Sequence, residues 1–389
     1  MNKKRWLAFA LALLLVSSLV ACGQSSPSSS AQSSEPNSAA SNATDSAQTT
    51  DALYKIKPGG KVGVSLTSRE FQRWVMDGDN LKKTLEEKGF TVDLQYANKE
   101  PQKQIDQIEN MITTGCEAII IAAVDAGALS GVLERAREEK VFILNYDILI
   151  LNSPNIDFYI GYDNVEVGRM QGRFIEEKLS LKDGKGPFNI EVFAGGLDEQ
   201  NAYYIYDGAM EILKPYFDNG QLVVPSGQVD IQTVTIQNWN SEKALARMDN
   251  LITSYYADGK SLDAVLTPSD AIGVPVCTSL TNAGFGQGDK PFPVVTANDS
   301  TTGAIQSIIS GQLSMSVFKD TRILSEKAVG IIDDLANGKM PIPNNTELFD
   351  NGSIVIPALV VDCEVVDINN YQRLMIDSGY YTKEELKIK

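Results

Sequence analysis

From Lys61 onward, short apolar runs alternate with longer segments whose apolar positions recur at helical spacing. The pattern predicts strands at 61–66, 91–96, 118–122, 141–146 and 158–161, with helices between them ending at Gly89 and spanning 102–114 and 129–139. A second series follows: a helix over 167–179, strands at 188–193, 222–224, 264–266, 294–296 and 315–318, and helices ending at Leu213 and over 241–255, 273–283, 301–310 and 321–336. Ser241 is expected to cap its helix. Ala118-Ile119-Ile120-Ile121-Ala122 is apolar throughout, as in a strand buried on both faces of a parallel sheet. Such alternation predicts an α/β fold of two Rossmann-like, doubly wound domains.

Polar residues cluster just past the predicted strands: Arg73, Asp125 and Asp147 in the first series, Asn201, Asp270 and Asp299 in the second. Ligands of open α/β sheets sit at the carboxyl ends of strands, so both sets are expected to face one cleft between the domains. The loop after the first strand has no glycine between Ser65 and Asp77 and so offers no phosphate cradle. It carries Phe71, Trp74, Arg73 and Asp77 instead, which suit a neutral polyol: a ring to stack on and charged groups to pair with hydroxyls. Gly195-Gly196 is read as a turn and Trp239 as structural. Phe71 fits equally the cleft or the packing beneath the loop.

Composition adds exclusions. The chain has 389 residues and no histidine, which removes histidine triads, histidine-led zinc sites and histidine general bases. Lys3, Lys4 and Arg5 precede an apolar stretch, so residues 1–21 are expected to be a leader. Losing its three basic residues takes the formal charge from −16 to −19, which argues against nucleic-acid binding. Leu19-Val20-Ala21-Cys22 resembles the bacterial lipoprotein signal, making Cys22 the expected lipidation site and membrane anchor. Residues 22–52 follow as a serine-rich tether. Cys116, Cys277 and Cys363 lack paired spacing and are read mostly as buried small apolar residues. No calcium-loop motif is present, and neither a metal nor a cofactor is expected.

The order Arg73-Trp74, Gln107-Ile108-Glu109-Asn110-Met111, Asn145-Tyr146-Asp147, Asp163-Asn164, Lys185-Gly186-Pro187-Phe188-Asn189, Tyr206-Asp207-Gly208-Ala209-Met210, Arg247-Met248-Asp249-Asn250-Leu251 and Phe318-Lys319-Asp320-Thr321-Arg322 resembles ChvE-type multiple-sugar receptors and their xylose-binding relatives. These are type I periplasmic binding proteins serving ABC importers. The resemblance implies two domains, 53–162 plus 299–350 and 163–298 plus 351–389, joined by three hinge crossovers near 161–163, 297–299 and 350–357. It implies ligand contacts from Arg73, Trp74, Asp125, Asp147, Asn201, Asp270, Asp299 and Lys319. Two departures stand out: Ile148, where such receptors usually carry arginine, and Asn298, where they often carry glutamine. The first replaces a bidentate donor by an apolar side chain and points to a ligand with fewer hydroxyls or a different epimer.

The expected function is a monomeric, lipid-anchored extracytoplasmic receptor that captures a monosaccharide in its cleft and delivers it to an ABC permease, with no catalysis. The same fold could serve as a sensor for a sugar-like signal such as a furanone or nucleoside, passing its state to a membrane kinase or chemoreceptor. A glycosidase built on Asp125 and Asp147 is the competing enzyme reading. Against it stand the resemblance and the lack of a positioned nucleophile. The leader excludes a transcriptional regulator of related fold.

Overall fold

The structure is a computed structural model and describes residues 53–388; the expected leader, the lipidation site Cys22 and the expected tether lie outside them. Six parallel strands form the first sheet: β1 (Lys61–Leu66), β2 (Thr91–Tyr96), β3 (Ala118–Ile121), β4 (Phe142–Tyr146), β5 (Phe158–Tyr162) and β11 (Ala358–Val361), in the order β11-β5-β4-β3-β1-β2. β3 is wholly buried, as its unbroken apolar run requires. Helices α1 (Gln72–Glu87), α2 (Pro101–Thr113), α3 (Ser130–Glu138) and α10 (Thr321–Ala336) cover the faces, α1 burying Leu81 and Leu85 one turn apart. The described chain enters beneath this sheet. The Tyr54 hydroxyl donates to Asp157 at 2.8 Å, and its ring meets Phe142, the first residue of β4, edge-on.

The second sheet repeats the plan. β6 (Phe188–Val192), β7 (Leu222–Val223), β8 (Ala264–Leu266) and β9 (Val294–Val295) run in the order β7-β6-β8-β9. The backbone beyond β9 bonds to β10 (Met315–Phe318), which pairs antiparallel with β12 (Glu364–Asp367). Around it lie α4 (Asn164–Lys178), α5 (Gln200–Asp218), the single turn α6 (Ile231–Val234), α7 (Ser241–Tyr255), α8 (Asp270–Asn282) and α9 (Thr302–Ile309). In both sheets the chain order reverses beside the first strand, between β1 and β3 and between β6 and β8. There the outgoing segments diverge to opposite faces and leave a crevice.

The sheets revise the expected boundaries. The chain passes between lobes after β5, after β10 and after β11. Residues 299–318 stay with the second lobe because α9 fills its core and β10 completes its sheet, and residues 358–361 return to the first lobe because β11 pairs with β5. The last of these strands follows a long irregular segment with no periodicity to announce it. Helix starts also shift. Asn240, not Ser241, caps α7 by accepting from Lys243 N. Arg73, Trp74, Asn201 and Asp270 sit in first turns of helices where loops are predicted. α4 and α5 lie close together. A Cβ on Gly168 would run into the Ile205 carbonyl and the Ala209 nitrogen, so only glycine admits this approach.

Candidate functional site

All eight predicted ligand-contact residues line one cavity of about 580 Å³ between the two lobes. The first lobe contributes Arg73 and Trp74 after β1, Asp125 after β3 and Asp147 after β4; the second contributes Asn201 after β6, Asp270 after β8, Asp299 after β9 and Lys319 after β10. At the rim, Gln72 Oε1 accepts from the Thr302 nitrogen and hydroxyl across the cleft.

Arg73 is the centre of charge. Its Nη1 donates to Asp147 Oδ2 at 2.8 Å, its Nε lies 3.2 Å from Asp77 Oδ2, and Asp299 approaches from the other lobe. Burial opposes its charge, but Asp147, Asp77 and Asp299 hold it protonated. Burial alone would raise Asp147; Arg73 and Lys319 outweigh it and keep that carboxyl below its ordinary range. Asp147 has φ 59°, a left-handed conformation that aims its carboxylate at Arg73, and its carbonyl accepts from the Tyr159 hydroxyl. Arg73 Nη2 and Asp147 Oδ1 are nonetheless buried without partners.

On the opposite wall Asp270 accepts from the Ser316 hydroxyl and Thr301 N. Burial, reinforced by Asp299, pushes its carboxyl up to about 8. Lys319 is buried and donates to Asn164 Oδ1 at 2.8 Å. Asp125 does not cap the following helix; it accepts from Gly127 N in a tight turn while facing the cavity. Trp74 lines the cavity and also joins the core of the first lobe. Ile148 forms a buried apolar panel of the wall beside Asp147.

Trp239, read from the sequence as structural, packs against the apolar cores of the second lobe and also lines the cavity. Asn238 and Trp239 are both left-handed, with φ 56° and 53°, and this turn swings the indole into the cavity. Gly195 makes room, since a Cβ there would enter the Trp239 ring. The indole N–H is buried beside Glu199 but outside hydrogen-bonding geometry. Glu199 also lines the cavity, and burial with Asp198 and Asp147 nearby pushes its carboxyl up to about 8. Asn298 adds an unpartnered buried Oδ1. No periodicity marks Trp239; the only clue is a tryptophan in a long, polar connection. Cys116, Cys277 and Cys363 are free thiols, the first two buried.

A family model described as periplasmic binding protein domain matches residues 62–340. The chain is 42% identical over 328 residues to the multiple sugar-binding periplasmic receptor ChvE of Rhizobium radiobacter, covering 84% of this chain and 92% of that one. It is 30% identical over 326 residues to the D-xylose-binding periplasmic protein of Escherichia coli, again covering 84% and 92%. Among solved structures it is similar to an ABC transporter solute binding protein from Clostridium phytofermentans with bound β-D-glucose, at 42% identity and a TM-score of 0.80, covering 84% of this chain and 99% of that one.

Proposed function

Because the chain belongs to the periplasmic binding protein family, we propose that it captures a monosaccharide between its lobes and hands it to an ABC import permease. The carrying observation is a set of buried, unpartnered polar atoms lining one cavity from both lobes: Arg73 Nη2 and Asp147 Oδ1 on one side, Asn298 Oδ1 and Trp239 Nε1 on the other. Buried polar groups are ordinarily paired, and leaving one unpaired costs about 1–3 kcal/mol. A polyol supplies donors and acceptors together, and its C–H faces match the rings of Trp74 and Trp239. Asp125, Asn201, Asp270, Asp299 and Lys319 complete the ring of contacts in this reading.

Closure follows from these placements. A ligand held by groups of both lobes favours the closed state by its differential contacts alone. The relatives are receptors rather than enzymes, and no reaction is needed here. Anchoring through a lipidated Cys22, a monomeric state and a permease partner belong to the same reading. Titration calorimetry against aldopentoses, aldohexoses and ketoses, with a nucleoside and a furanone as controls, tests it. Binding of one sugar class supports the receptor. Binding only of the nucleoside or furanone overturns the sugar assignment, and silence throughout overturns both.

A further inference from the structure

Asn164 lines no part of the cavity, yet it touches two residues that do. It is the first residue of α4, directly after the first passage between lobes, and is 3% exposed. Its Oδ1 accepts from Lys319 Nζ at 2.8 Å, and its Nδ2 donates to Asn201 Oδ1 at 2.9 Å. The close packing of α4 on α5 at Gly168 brings the two asparagines within reach.

The direction of these bonds is fixed at one end. An ammonium group has only donors, so Lys319 can be met only by the carbonyl oxygen of Asn164. The Asn164 amide must then turn its N–H groups to Asn201, and Asn201 must answer with its own carbonyl oxygen. That leaves the Asn201 Nδ2, which has no protein acceptor among the described residues, as the group offered to the cavity. We infer that Asn164 is a positioning residue that locks Asn201 as a hydrogen-bond donor to the bound sugar, and so selects an acceptor at one ring position.

The inference rests on the receptor reading above and is tested separately from it. Asn164→Asp preserves size but accepts from both neighbours, so Asn201 turns its Nδ2 inward and presents Oδ1 to the cavity. The probes are D-glucose or D-xylose, whichever the panel shows bound, and each of its monodeoxy and monodeoxyfluoro derivatives, measured by calorimetry on the full-length protein. Fluorine accepts but cannot donate. In the natural protein, fluorine at the position facing Asn201 keeps affinity within about threefold while hydrogen there loses roughly tenfold. In Asn164→Asp the fluoro derivative at that one position also loses roughly tenfold, the others holding their rank. A variant that weakens every derivative equally, or leaves the series unchanged, overturns the inference. Should the variant fail to fold, the side-chain amide resonances of Asn201, identified through Asn201→Asp, are followed in the natural protein: they shift on saturation with the sugar, and their standing still overturns it. If the natural protein binds no sugar, the receptor reading fails first and takes this inference with it.

Discussion

Arg73 of the first lobe and Asp299 of the second stand 3.8 Å apart across the cavity, although the sheets that carry them share no strand. Arg73 is thus at once the inner wall of one lobe and the near edge of an ion pair with the other. Arg73→Ala removes a donor fork and leaves Asp147 and Asp77 buried without their cation. Sugar affinity is expected to fall at least about 100-fold, given roughly 1.5–3 kcal/mol for each hydrogen bond to a charged group. The melting temperature is expected to fall as well. Arg73→Lys keeps the charge but loses the fork, and should retain the fold while losing most of the affinity. Calorimetry and thermal melts on the two variants separate these effects.

The two tryptophans among the described residues, Trp74 and Trp239, both line the cavity. Sugar binding is therefore expected to change intrinsic fluorescence. Trp239→Phe keeps a stacking ring, loses the indole N–H and should weaken binding by about tenfold, whereas Trp239→Ala loses both and should cost more. An unchanged affinity in Trp239→Ala would return that residue to a structural role.

Ligand-free stability is expected to decline as pH rises from about 4 to about 8 and to level off above that. Burial holds the Asp270 carboxyl up to about 8 and that of Asp77 up to about 7, against an ordinary value of 3.8. The folded state therefore binds more protons than the unfolded chain across that interval. The stabilisation is complete below the unfolded value and is lost as pH rises through the folded ones. Melting temperatures from about pH 5 to about pH 9 check the slope and its levelling above about pH 8. Asp270→Asn, which can still accept from Thr301 N and reach Ser316, should flatten it; an equal slope in that variant removes Asp270 from the explanation.

Gly168→Ala is expected to lower stability by about 1–3 kcal/mol, because the added methyl must push α4 away from α5. Affinity should fall with it, since the same shift draws Asn164 off Asn201. Denaturant unfolding and calorimetry on one preparation read both. Loss of stability with affinity intact would show the two helices to be uncoupled from the site.

The sequence made the site legible where chemistry and periodicity coincide. Apolar runs ended at Ala122 and Tyr146, and the carboxylates just beyond them, Asp125 and Asp147, line the cavity. Residues placed by backbone conformation were hidden. The left-handed pair Asn238 and Trp239 has no periodic signature, and Asn164 acts through amide orientation, which no spacing encodes. Strand β11 was missed for a related reason: it is short, and its partner β5 lies some two hundred positions earlier in the chain. The second and third passages between lobes shift for the same reason, β10 pairing with β12 and β11 with β5: pairing across the chain, not local pattern, decides which sheet a segment joins.

Tyr54 fastens the start of the described chain to the amino end of β4, while Asp147 stands at that strand's carboxyl end, about 17 Å away for five residues of strand. Any attachment ahead of Tyr54 therefore grips the first lobe by its far pole. In the receptor reading proposed above, the first lobe is then the stationary jaw and the second the one that swings. A sensor surface built on such an attachment leaves the mouth turned outward and reads closure as motion of residues 163–319 and 362–388 relative to a fixed base.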